Sequence, residues 1–435
     1  MNKRLTVIGG GLAGCEAAWA AANKGVAVTL VEMKPHKYTP AHHHPQLAEL
    51  VCSNSLKAAR IDSAAGLLKE EMAKLGSVCV WAARQCAVPA GGALAVDRDR
   101  FAMLVTEKIT SHPLITIEHR EVTQLPTEGM TVVASGPLTS DALATDIANH
   151  CGEGLHFYDA AAPIVTAASV DMSAAFRASR YDREESGEGD YINCPMNKEE
   201  YEAFHQALVE AETALLHGFD KPKVYEGCMP IEILAKRGTD SIRFGPMKPV
   251  GLRDPRTGHR PWAVLQLRAE NAEGSLYNLI GFQTNLKFSE QKRVFSMIPA
   301  LKEAEFVRYG VMHRNTFLDS PRLLTADMRL KSAPHLFFAG QMTGVEGYME
   351  SAASGLMAGI NAANALLEED ALILPRETMI GALLHHVVDE TVDDFQPMGA
   401  NFGILPPLDE HIRDKRQRYA ALAQRSMDYF KAKGL

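Results

Sequence analysis

The chain has 435 residues, ordinary apolar (46%) and charged (23%) content, and a net charge of −8. That length supports two or three domains, and the negative balance excludes a protein coated throughout by nucleic acid, so any such contact needs a local basic patch. No run of about 18 apolar residues offers a membrane span, and seven cysteines without a C-x-x-C pair or tandem metal spacing suit a reducing, cytoplasmic setting.

Leu5 to Glu32 reads as strand, glycine turn, helix and second strand. Gly9, Gly11 and Gly14 stand in G-x-G-x-x-G spacing around Gly10, Leu12 and Ala13. Gly9 permits the tight turn, Gly11 lets the backbone approach a pyrophosphate, and Gly14 lets the helix sit close to the strand. The helix start offers N–H groups to phosphate, and Glu32 ends the second strand where a carboxylate bonds a ribose hydroxyl. This is a dinucleotide site. Lys3 and Arg4 before an apolar run imitate a secretory signal, but three glycines and Glu16 interrupt it, and the second strand requires that it be retained.

Pro35, Pro40 and Pro45 make the next stretch a loop, and His42, His43 and His44 within it point in different directions, so it reads as a solvated loop, or one that meets an anionic ligand, and not as a metal site. Cys52, in Cys-Ser-Asn-Ser, is either a small buried hydrophobe or a functional thiol. Asp62 opens a helix on Leu67, Leu68, Met72 and Leu75 that stops at Gly76, and Asp97 opens another on Phe101, Leu104, Val105 and Ile109. The strand in GMTVVASGPLTS ends in a small-residue turn, Ala134 to Pro137, expected to touch the cofactor. These elements make residues 1–149 the first part of a Rossmann-type domain of α/β class, an FAD-binding domain when joined with the second small-residue motif at Gly340 to Gly355.

Residues 150–297 read as an inserted α+β domain for substrate or RNA: short strands, KVYEG among them, around one clear helix, KEEYEAFHQALVEAETALL. Between Lys221 and Arg260 nine basic residues face four acids, interleaved with Gly, Pro and Phe244 and followed by Trp262. A solvated face or a phosphate-backbone contact accounts for such a run. Cys228 stands just before Pro230 and the segment IEILAKRG. A thiol at a helix start near Lys236 and Arg237 is a nucleophile's address, with Glu232 as proton acceptor or simply as complement to the dipole. Cys194 also precedes a proline, in more acidic surroundings. Residues 298–370 return to the first domain. There a strand leads into a turn and a long helix rich in Gly and Ala, whose start brings Gly340, Gln341, Gly344, Gly347 and Tyr348 towards a flavin. A dinucleotide motif at each end favours FAD over NAD as resident cofactor. Residues 371–435 read as a helical, amphipathic segment, basic on its polar side.

GGGLAG, AELVCSNSLKA, YINCP, YEGCMPIE, VMHRNTFLDSP and FFAGQMTGVEGYMESAASG together resemble the folate- and FAD-dependent tRNA (uracil-5-)-methyltransferases of bacteria. The resemblance implies methylation at C5 of a T-loop uridine in tRNA, with 5,10-methylenetetrahydrofolate as carbon donor, reduced FAD as reductant and NAD(P)H as electron source. It implies that Cys228 attacks uracil, that Cys52 is the second essential thiol, and that His313 stacks on the folate pterin. No metal and no obligatory protein partner are implied. The chemistry agrees: C5 of uracil is a poor nucleophile until a thiolate adds at C6, the methylene needs a hydride source, and a proton must leave C5. Because the base lies in folded RNA, it must be flipped out. The same chemistry on ribosomal RNA, or a wobble-uridine flavoprotein, is the alternative. A flavin disulfide reductase would need a close cysteine pair.

Overall fold

The computed structural model describes residues 3–39, 41–152, 155–182, 189–214, 229–310, 312–393 and 395–435. Arg4–Ile8 lies inside a six-stranded sheet ordered 329–330, 333–338, 131–133, 4–8, 27–32, 115–119. From 333–338 to 115–119 all neighbours are parallel, and 329–330 adds a short antiparallel edge. Ile8 pairs with Val31 on one side and Val133 on the other. The connections leaving Ile8 and Val133 therefore part at the carboxyl edge of the sheet, which is where open α/β sheets form a ligand crevice.

The glycine helix, Leu12–Asn23, is alanine-rich and almost wholly buried. Its small side chains let the return helix, Tyr348–Leu367, approach to backbone contact. A Cβ on Gly355 would stand 2.1 Å from the Ala13 carbonyl oxygen, and one on Gly359 would stand 2.5 Å from Ala17 Cα. Each pair is one helical turn apart, so the two helices share one seam of missing side chains. Asp97 caps the helix Arg98–Ser111 as expected, its Oδ1 accepting from Arg100 N at 3.0 Å. The cap expected at Asp62 falls to Ser63, whose Oγ accepts from Gly66 N (3.2 Å), while Asp62 takes a bidentate ion pair with Arg60.

The second sheet is antiparallel, ordered 176–177, 191–196, 263–269, 276–279, 164–166, 306–308. Tyr201 and Phe204 of the helix Lys198–Glu210 pack into its core with Phe282 and Phe295. This sheet continues to Arg308, beyond the boundary at residue 297 read from sequence. Strands Leu155–Ala160 and Met312–Phe317 pair with each other and carry the chain between the two sheets. The helix Lys198–Glu210 stops short of its sequence pattern because the chain turns extended and Thr213 bridges Leu286. KVYEG lies outside the described residues. After residue 370 two helices, Met379–Val387 and Lys415–Lys433, are separated by largely irregular chain. Buried Glu71 ties both to the first domain, accepting from Met379 N (2.6 Å), Ile380 N (2.7 Å) and Ser426 Oγ (2.6 Å). Among the described residues, no helix is long and apolar enough to cross a membrane.

Candidate functional site

The crevice above the first sheet is a cleft of about 880 Å³, its open mouth included, walled by Gly9 to Ala13, Glu32 to Lys34, Ala134 to Leu138, Gly340, Gln341, Tyr348 and Ser351. Its floor leaves no room for side chains. Gly9 has φ 101°, and a Cβ there would lie 2.6 Å from the Ala134 carbonyl oxygen. On Gly14 it would lie 1.8 Å from the Gly9 carbonyl oxygen, so Gly14 closes helix on strand and does not face the cleft. Gly11 differs: a Cβ there meets nothing within 4 Å. As N-cap it also supplies no side-chain bond to the helix, so the first-turn N–H groups are left for an anion. Buried Glu32 accepts from Gly10 N (2.6 Å) and Lys34 N (2.9 Å), which pins its carboxylate at the end of the second strand. These features fit a dinucleotide.

On the return side, Gly340 (φ 83°) donates its N–H to Ser354 Oγ at 2.7 Å, and Gln341 Nε2 donates to Glu346 Oε2 at 2.9 Å. Gly344 and Gly347 do not appear on the cleft wall. A Cβ on Gly344 would stand 2.4 Å from the Phe395 ring, and one on Gly347 would stand 2.3 Å from Glu350 Oε2 and 2.6 Å from Lys57 Nζ. Both have positive φ and shape the turn that delivers Tyr348.

Tyr348 connects the cleft to Cys52. Its hydroxyl accepts from Cys52 N at 2.8 Å and lies 3.0 Å from Cys52 Sγ, joining segments 296 residues apart. Burial, with Cys52 as the next contributor, pushes the tyrosine hydroxyl well above its ordinary range, so it stays a neutral O–H. Three arginines hold the Cys52 loop. Arg98 Nη1 donates to the Leu50 carbonyl (2.9 Å) while its Nε and Nη2 form a bidentate pair with Glu270 (2.5 and 3.2 Å). Arg308 donates to the Val51 carbonyl, and Arg268 reaches Ser53 Oγ and Asn54 Oδ1, both at 2.9 Å. Arg98 belongs to the first domain, whereas Arg268 and Arg308 come from strands of the second sheet. Cys52 therefore sits at the seam between domains. Burial holds the Arg268 and Arg308 guanidiniums below their ordinary values, opposed at Arg268 first by the Glu270 carboxylate and at Arg308 first by Tyr348. Cationic surroundings of this kind favour a thiolate over a thiol.

The remaining sequence-derived candidates are placed differently. Glu232 is buried, and its two oxygens accept from Thr284 Oγ1 and Asn285 N (both 2.8 Å), so it fastens its short helix, Ile231–Ala235, to the segment at Thr284 and Asn285. Lys236 and Arg237 are exposed just beyond that helix. Cys228 lies outside the described residues, and His313 is placed by its backbone, opposite Asp159. His42 lines the dinucleotide cleft, its Nδ1 2.6 Å from Thr39 Oγ1, while the His43 and His44 N–H groups donate to Glu49. Among the described residues, no three His, Cys, Asp or Glu side chains gather as a metal site. Sequence reasoning missed all three arginines and Glu270. Only Arg98 had a local signal, its place just after the Asp97 cap.

Residues 4–370 match the family model described as Glucose inhibited division protein A. The chain is 57% identical over 429 residues to a methylenetetrahydrofolate–tRNA-(uracil-5-)-methyltransferase TrmFO of Enterococcus faecalis, covering 98% of each chain. It is 56% identical to one of the same name from Listeria monocytogenes, covering 99% of each. Among solved structures it is similar to GidA of Aquifex aeolicus, with a TM-score of 0.71 at 18% identity over 99% of this chain and 75% of that one, a likeness of fold.

Proposed function

This chain belongs to the methylenetetrahydrofolate–tRNA-(uracil-5-)-methyltransferase TrmFO family, and from that premise we propose that it methylates C5 of a uridine in the T loop of tRNA. FAD is the resident cofactor, held by Gly9 to Ala13, Glu32, Gly340 and Gln341. Methylenetetrahydrofolate and NAD(P)H are the co-substrates. When bound, the folate supplies the one-carbon unit and the flavin, recharged by NAD(P)H, the hydride.

The observation that carries this reading is the contact of Cys52 with Tyr348, a residue of the dinucleotide cleft wall, in a loop held by arginines from both domains. A plain dehydrogenase has no use for a thiol held there. The Tyr348 oxygen accepts from the Cys52 N–H and lies 3.0 Å from Sγ, and with Sγ ionised the tyrosine proton is donated to sulfur and stabilises the thiolate. Cys52 then takes the proton released from uracil C5. Cys228, two residues before Pro230, adds through sulfur to C6 and leaves when the ring is restored. His313 contacts the folate, and the cations after Glu232, Lys236 and Arg237 among them, hold the RNA backbone.

The test is direct. Purified protein is incubated with unmodified tRNA, methylenetetrahydrofolate and NADPH, and nucleosides are read by mass spectrometry. 5-Methyluridine in the T loop is expected. Absence of product, or product on ribosomal RNA alone, refutes the assignment.

A further inference from the structure

The segment from Lys236 to Trp262 is a run of successive turns that carries seven Lys and Arg residues against two carboxylates, Asp240 and Asp254. Both carboxylates are already engaged, Asp240 by Arg243 (3.1 Å) and Asp254 by Arg256 (2.7 Å). Lys248, Arg253 and Arg260 are exposed and have no ion-pair partner among the described residues. In the middle of this surface stands Phe244, 68% exposed, more than any other large apolar side chain among the described residues. It does not hang loose. The Arg243 guanidinium lies between two rings, 3.9 Å from the centroid of Trp262 and 4.9 Å from that of Phe244. Its Nε donates to the Trp262 carbonyl at 3.2 Å, and the Phe244 N–H closes a turn on the Asp240 carbonyl at 2.9 Å. Lys198 covers Trp262 as well, at 5.7 Å. A second exposed ring, Tyr181, packs against Gly251 of the same run of turns.

An aromatic ring backed by a fixed guanidinium, with its outer side in water and unpaired cations around it, has the chemistry of a base-stacking post. Unstacked RNA bases settle on such rings while neighbouring phosphates meet Lys and Arg, and stacking tolerates any base because each has a π face. We propose that Phe244 stacks an unpaired tRNA base while Lys248, Arg253 and Arg260 neutralise the adjacent phosphates, so that this surface positions the RNA for the thiol site. This deepens the reading of a tRNA substrate and rests on it. The post acts on binding alone and touches no reacting atom.

The experiment measures the dissociation constant for unmodified tRNA by fluorescence anisotropy at several salt concentrations, using full-length flavin-loaded protein, beside the methylation assay. Phe244→Ala should weaken binding roughly 10-fold with an unchanged salt slope, and Phe244→Tyr should restore it. Lys248→Ala should instead lower the slope of log K against log salt by about 0.7 to 0.9. Wild-type affinity in Phe244→Ala overturns the proposal, as does full rescue by Phe244→Leu, which has bulk but no π face. A wild-type protein that binds tRNA through Phe244 yet makes no 5-methyluridine upholds this inference and sinks the proposed activity. One that binds no tRNA sinks both.

Discussion

Replacing Gly355 by alanine tests whether the seam between the glycine helix and the return helix sets the geometry of the dinucleotide cleft. The new Cβ would stand 2.1 Å from the Ala13 carbonyl oxygen and 2.5 Å from its Cα. Real Cβ contacts essentially never fall below 3.0 Å, and the obstacle is backbone, so no side chain can swing aside. The helices must part by about 1 Å, a gap that forfeits about a quarter to a half of the dispersion well for each facing pair of atoms. Overpacking of a core costs about 1–3 kcal/mol, and a backbone-to-backbone clash belongs at about the upper limit. At about 2.1 cal/mol/K per residue, a chain of 435 residues has an unfolding entropy of about 0.9 kcal/mol/K, so the melting temperature should fall by about 3 °C. Because Ala13 is on the cleft wall, the same displacement withdraws the helix start from the pyrophosphate, so the purified variant should also carry less flavin. Differential scanning fluorimetry and the flavin-to-protein absorbance ratio measure both effects. A Gly355→Ala protein as yellow as wild type and melting within about 1 °C of it would refute the argument.

Gly11→Val should fold normally yet be isolated colourless, since a Cβ at this cleft-lining position meets no protein atom within 4 Å; a loss of thermal stability equal to that of Gly355→Ala would contradict this. Cys52→Ala and Cys228→Ala should each abolish methylation while retaining flavin, and Tyr348→Phe should lower kcat by about 10-fold or more by removing the donor to sulfur; unchanged turnover in Tyr348→Phe would remove the tyrosine from the mechanism. Burial pushes the Glu71 carboxyl up to about 7, against the opposing hydrogen bonds from Ile380, Ser426 and Met379. The folded protein therefore binds this proton more tightly than the unfolded chain. The contribution is full below the ordinary value of 4.5 and is lost as pH rises towards 7, by about 3 kcal/mol in all. The unfolding free energy of wild type minus that of Glu71→Gln should decline across that window, and a flat difference would show that Glu71 does not titrate there.

What was legible in the chain alone was local. Strand, glycine turn and helix from Leu5 to Glu32, the Asp97 cap, and the Gly- and Ala-rich return helix follow from the backbone freedom of glycine, from helix-end chemistry and from side-chain size, all of which act within a few residues. Those rules also suffice to expect a dinucleotide. The Ser63 cap was misread as Asp62 because neighbouring polar residues compete for one position, and only backbone angles decide between them. Gly344 and Gly347 look like cofactor contacts in sequence, but positive φ and the nearness of Phe395, Lys57 and Glu350 explain them as shapers of a turn.

The thiol site is another matter. Whether Cys52 is a packed hydrophobe or a reactive sulfur depends on Tyr348, which touches it, and on Arg98, Arg268 and Arg308, which hold its loop from both domains. Glu232, readable from sequence as a base, has both oxygens committed to Thr284 and Asn285. The sequence determined the elements and the cofactor class, because propensity and glycine spacing are short-range properties. Only the tertiary structure decided the electrostatics around Cys52, because charge acts across space regardless of chain distance and those neighbours converge only once the two sheets have docked.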